Sequence, residues 1–133
     1  MFDILKKACE NFAESLGGEL KECNEQDIHG LVSKIEISGD VNYEVFLVLP
    51  KKKLDMVSEI FFGDTEYDEK DLTDEITNLI IGNSKVVAEE KNIKYNISIP
   101  EFLGDYDNLK IEYDEMLCFK FNGINFYILL KEK

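Results

Sequence analysis

One stretch constrains the fold more than any other: residues 71–90, DLTDEITNLIIGNSKVVAEE, too long and too regularly patterned to be anything but a helix. At about 100° per residue, Leu72, Ile76, Leu79, Ile80, Val86 and Val87 fall on one arc, with Asn83 among them. That arc is expected to face a core. Asp71, Glu75, Asn78 and Gly82 share a neighbouring arc, because steps of three, four and seven residues return to the same side of a helix. An acid and an amide one turn apart, followed by a residue without a side chain, would let another backbone or a phosphate approach closely. A solvated helix face has the same pattern. Asp71 reads equally as a helix cap, Gly82 as a packing glycine, and Asn83 as a buried amide tied to backbone.

Around this helix the chain alternates helical and strand patterns. Residues 3–16 repeat Leu5, Ala8, Cys9, Phe12 and Leu16 at helical spacing and stop at Gly17-Gly18. A short strand at 19–23, a polar loop, a strand at 33–38 and an apolar run at Tyr43–Leu49 follow, the last reading as a central strand. Pro50 suits the first turn of a second helix with Leu54, Val57, Ile60 and Phe61 inward and Gly63 at its end, and Lys51, Lys52 and Lys53 read as a solvated start. Either Asp68 or Asp71 can cap the central helix.

Beyond it, Asn92 is a left-handed stop, and Tyr95, Ile97 and Ile99 alternate as a strand ended by Pro100. Residues 104–108 have turn chemistry, and Leu109, Ile111 and Tyr113 suggest a short strand. Leu117, Phe119 and Phe121, then Asn122-Gly123, then Ile124, Phe126, Ile128 and Leu130 form a hairpin signature. Its aromatic-rich strands would offer a sheet edge for dimerisation. The whole predicts an α+β domain over residues 1–133, with long helices on a mostly antiparallel sheet. Setting residues 3–5 against 71–73 hints at two pseudo-repeated halves, with Lys7 in the place of Glu75 and Glu10 in that of Asn78.

The 133 residues suffice for one core, and the net charge of −13 argues against nucleic acid or anionic membrane as partner. No apolar run approaches a membrane span, and the amphipathic, acid-containing N-terminus lacks a signal peptide's apolar block, so a cytoplasmic location is expected. Cys9, Cys23 and Cys118 are odd in number and far apart, which fits reduced thiols, and with His29 as the one histidine no metal-ligand spacing is present. A Cys–His nucleophile is the weakest candidate chemistry. Cys9 and Cys118 read as small buried hydrophobes, and His29 as a loop residue.

Residues 49–104 resemble the CheX branch of the CheC/CheX/FliY family of chemotaxis phosphatases. That family shares Asp or Ser, three residues, Glu, two residues, Asn, and a distant Pro, which here are Asp71, Glu75, Asn78 and Pro100. The Gly82-Asn83 step and Ser98-Ile99-Pro100 followed by Gly104 add to the likeness. The resemblance implies a CheC-like fold with the motif in one half only, and a phosphatase acting on the aspartyl phosphate of a CheY-type response regulator. Glu75 would salt-bridge a lysine of that partner, and Asn78 would insert toward the phosphoryl group and position the attacking water. Asp71 and Gly82 would lie on the contact surface, and the chain would be a homodimer. Mg²⁺ would belong to the response regulator, and no cofactor to this chain. Two alternatives are a non-catalytic module binding a receiver domain or flagellar-switch component, and an interaction domain in which the motif is coincidental.

Overall fold

The structure, a computed structural model, describes residues 1–24 and 27–133. In chain order its elements are α1 (Phe2–Ser15), β1 (Leu20–Glu22), β2 (Leu31–Gly39), β3 (Tyr43–Leu49), α2 (Lys51–Phe62), α3 (Glu69–Glu90), β4 (Tyr95–Ile97), β5 (Glu101–Asp105), a 3₁₀ turn (Tyr106–Asn108), β6 (Glu115–Phe121) and β7 (Ile124–Glu132). The polar loop expected after β1 includes residues 25 and 26, which lie outside the described residues.

The strands form one sheet in the order β1-β6-β7-β3-β2-β4, and β5 also pairs with β2. All these pairings are antiparallel. The two-half layout is written into this order. Hairpins β2-β3 and β6-β7 abut through β3 and β7, and each half sends its first short strand to the other half's hairpin, β1 to β6 and β4 to β2. Neither half completes its sheet without the other. The fold is the expected α+β arrangement of long helices on an antiparallel sheet.

Apolar side chains lie on both faces of the sheet. Val45, Leu47 and Leu49 of β3 join the layer under the helices, with Leu5 and Cys9 of α1, Leu54 of α2 and Ile76 and Ile80 of α3. Phe46 and Val48 face the other way, with Cys118, Tyr127 and Leu129, under a cover that includes Ile28, Tyr106, Leu109 and Ile111. A strand apolar on both faces belongs in the middle of a sheet, as β3 was read.

The helix stops and the hairpin turn follow the local chemistry. Gly17 at φ 81° and Gly63 at φ 78° end α1 and α2, and Asn122 and Gly123, at φ 51° and 76°, make the tight turn between β6 and β7.

Several expectations need correction. Residues 109–113 form no strand; Leu109 and Ile111 instead cover the second apolar layer. The strand forms earlier, at β5, where Gly104 at φ 95° fits one extra residue opposite the Val32/Ser33 step as a bulge. Ile99 lies outside β4 and is exposed. The β6-β7 hairpin is not an edge, since β1 covers β6 and β3 covers β7. Cys23 and Cys118 are joined as a disulfide rather than reduced, because the β1–β6 register carries position 23 opposite 118 across 95 residues of sequence. Pro50 flanks α2 instead of entering its first turn. Lys53 is buried, Nζ lying 4.1 Å and 4.9 Å from the ring centres of Phe121 and Phe126, whereas Ile60 and Phe61 are exposed.

Candidate functional site

Asp68 caps α3, its Oδ1 accepting from the Asp71 backbone N–H at 2.9 Å. This settles the choice of cap and leaves the Asp71 carboxylate free of that task. Along the helix, the buried residues are Leu72, Thr73, Ile76, Thr77, Ile80, Ile81, Ser84, Val87 and Ala88. The buried arc is therefore turned by roughly 70° from the one that apolar residues alone define.

Small hydroxyl residues cause the turn. Thr77 donates to the Thr73 carbonyl at 2.8 Å and Ser84 to the Ile81 carbonyl at 2.5 Å, while Tyr95 donates to Ser84 Oγ at 2.9 Å, so most of these groups enter the core already satisfied. Ile81, which lies outside the apolar arc, is buried. Leu79 and Val86, assigned to the core, are 42% and 54% exposed.

The same turn puts the motif stripe at the middle of the solvent-facing side. Asp71, Glu75 and Asn78 are exposed and Gly82 is half-buried. Among the described residues, none of the three side chains makes a hydrogen bond or an ion pair with the rest of the chain. The adjacent acid shows the contrast. Asp74 accepts from Ser33 Oγ at 2.8 Å and pairs with Lys70 at 3.4 Å, clamping α3 to β2. One carboxylate is thus used by the fold, and Glu75, the next residue, is not.

Gly82 has no packing role, for a Cβ built there would meet no atom within 4 Å. Asn83 is a structural amide, though tied to a side chain rather than backbone: Asn11 Nδ2 of α1 donates to its Oδ1 at 2.8 Å. Pro100 lines a cleft with Lys70 and Asp74, so the fold brings this distant residue beside the first turns of α3.

Two further clefts follow the row 71, 75, 79, 83. Phe62, Tyr67, Asp68, Asp71 and Glu75 help line one; Phe12, Phe61, Leu79 and Asn83 help line the other. Tyr67 is neutral, its hydroxyl pushed up to about 12 by burial and by donating to Asp55 at 2.7 Å. Phe61, Phe62 and Leu79 were not foreseen as surface residues. The available signal was the end of α2 at Gly63, which leaves adjacent aromatics in a last turn where they cannot both point inward.

The remaining sequence candidates do not converge. Cys9 is a free, fully buried thiol raised by desolvation, the reverse of an activated nucleophile, and His29 is exposed with Nδ1 3.0 Å from the Asp27 carbonyl oxygen. Among the described residues, no group of three or more His, Cys, Asp or Glu is placed to hold a metal ion, and no helix is long and apolar enough to cross a membrane.

This pseudo-symmetric antiparallel sheet under long helices is a CheC-like architecture, and the chain has the CheX-type fold. Among solved structures it is similar to the chemotaxis protein CheX from Desulfovibrio desulfuricans, at 17% identity and TM-score 0.76, covering 98% of this chain and 97% of that one. CheX from Vibrio vulnificus matches equally, at 17% identity, TM-score 0.76 and the same coverage. A structure of the CheX–CheY–BeF₃–Mg²⁺ complex from Borrelia burgdorferi matches at 18% identity and TM-score 0.68, covering 98% of this chain and 97% of that one. No family model matches the sequence, and no curated protein matches it.

Proposed function

We propose that this chain is a phosphatase for the aspartyl phosphate of a CheY-type response regulator. The observation that carries the reading is the pair Glu75 and Asn78, exposed and unpartnered one turn apart on a helix whose other side is locked into the core. A solvated face would show the same exposure. The bare Gly82 one turn on, without a packing reason, and the likeness to a CheX found with CheY favour a face kept for a partner.

An aspartyl phosphate is already a reactive acyl phosphate, so its hydrolysis needs chiefly a water held in line with the phosphorus–oxygen bond that breaks. A carboxamide is no base at neutral pH, but its oxygen accepts from water and its NH₂ donates. Asn78 therefore orients the water without deprotonating it. Glu75 supplies a negative charge for a cation on the receiver and sets the register in which Asn78 enters. Asp71 adds to that field. The Mg²⁺ belongs to the receiver's own carboxylates and neutralises the phosphoryl oxygens there.

An Asn78 turned away from solvent would favour the non-catalytic alternative, and a buried Glu75 the coincidental motif; both residues are exposed, so the non-catalytic alternative now rests on binding without turnover. The test is the decay of Mg²⁺-loaded, phosphorylated CheY with and without this protein. Faster decay at substoichiometric protein is expected, and binding without faster decay would refute catalysis.

A further inference from the structure

The end of α2 lays two aromatic rings along the motif helix. Phe62 is 65% exposed and Phe61 45%, their ring centres 6.2 Å apart. Phe62 shares a cleft with Asp71 and Glu75, and Phe61 shares one with Leu79, itself 42% exposed. The rings therefore form an apolar shelf beside the row 71, 75, 79, while Asn78 and Gly82 lie on the solvent side of the same helix.

Exposing two phenylalanines and a leucine together forgoes burial that each would otherwise contribute to the fold. Four carboxylates, from Glu66, Asp68, Asp71 and Glu75, line the cleft beside Phe62, and no lysine lines it. A second copy of this chain would set those carboxylates against their own counterparts. Nucleic acid and anionic lipid are repelled for the same reason. The occupant must bring an apolar side chain next to a cation.

We propose that Phe61, Phe62 and Leu79 form the docking shelf for the receiver domain, engaging an apolar side chain beside the lysine that Glu75 meets. This rests on the phosphatase reading for the identity of the partner, but it assigns different residues and a different task. The shelf supplies binding shared by ground state and transition state, whereas Asn78 acts on the water. Loss of the shelf should therefore raise KM and leave kcat unchanged.

The experiment compares wild type with Phe62→Ala, Leu79→Ala and, as a control on an exposed aromatic that lines neither cleft, Tyr113→Ala, each checked for unchanged thermal unfolding. It measures kcat and KM on phosphorylated CheY and Kd for CheY loaded with BeF₃⁻ and Mg²⁺. Phe62→Ala and Leu79→Ala should each raise KM and Kd about tenfold at constant kcat, and Tyr113→Ala should change neither. Active wild type with unchanged KM and Kd in both shelf variants would overturn the shelf and leave the phosphatase standing. Wild type that binds without turnover, weakened by Phe62→Ala, would support the shelf and overturn the phosphatase. No binding by wild type would overturn both.

Discussion

Helices α1 and α3 occupy equivalent places in the two halves, yet they put their unusual chemistry on opposite sides. On α1 it is buried. Cys9 faces the core close to Lys53, whose amine has no hydrogen-bond partner among the described residues and rests on the Phe121 and Phe126 rings. On α3 it is exposed: Glu75 and Asn78 stand free where α1 has Lys7 and Glu10. The fold demands a buried stripe from both helices and leaves the outward stripes free to diverge. Changes on the buried side of α1 should therefore move stability, and changes on the outward side of α3 should move receiver binding or turnover.

The largest separation is expected at the amide. Asn78→Ala should slow dephosphorylation by about a hundredfold, the scale lost when a reacting group is misplaced, without lowering the melting temperature. Glu10→Ala, its counterpart on α1, should leave turnover unchanged. Comparable rate losses in both would erase the distinction between the halves.

Lys53 tests the buried side. Desolvation pulls its amine from 10.5 down to about 7, partly opposed by the nearby Cys9 thiol. The folded chain thus prefers the neutral amine, and the unfolded chain stays protonated up to about pH 10. Below pH 7 the cost of burying the charge is fully present. As pH rises from about 7 to 10 that cost is relieved, so this group makes the protein more stable toward alkaline pH. One proton's difference over about three pH units is worth roughly 4 kcal/mol, and cation–π contact with the two rings offsets part of it. Unfolding of wild type minus Lys53→Met at each pH isolates the slope. A flat difference would remove the buried charge from the account, and altered kcat in the variant would blur the two sides.

Smaller effects sharpen the exposed side. Glu75→Ala should weaken receiver binding about tenfold, with the loss shrinking as salt is raised, while Lys7→Ala should have no such effect. Gly82→Ala should stabilise the isolated protein by about 0.5–1 kcal/mol, because an alanine in a helix with open space beside it loses less backbone entropy than glycine. The same change should weaken receiver binding a few-fold. Stabilisation without weaker binding would place Gly82 outside the contact.

The elements legible in the sequence were those specified by neighbouring residues. Asn122-Gly123 between alternating strands gave the hairpin, Gly17 and Gly63 gave helix stops, and the largely apolar run of β3 gave its central place. Spacing also put Asp71, Glu75, Asn78 and Gly82 on one side of a helix, which is where they lie. What escaped depended on partners far along the chain. The rotation of α3 came from Thr73, Thr77 and Ser84 entering the core, which no apolar count includes. Cys23 meets Cys118 only through the register of β1 on β6, and Gly104, with its positive φ, works as a bulge in β5 rather than a turn. Lys53 is buried because position, one step before Leu54 on the inward stripe, outweighed residue type.

The most direct measurement is the single-turnover decay of Mg²⁺-loaded, phosphorylated CheY with wild type, Asn78→Ala and Glu10→Ala at equal, saturating concentrations, with folding verified for each. Strong acceleration by wild type and Glu10→Ala is expected, and almost none by Asn78→Ala. Equal acceleration by all three would contradict that expectation, because the chemistry would then not pass through the exposed amide of α3.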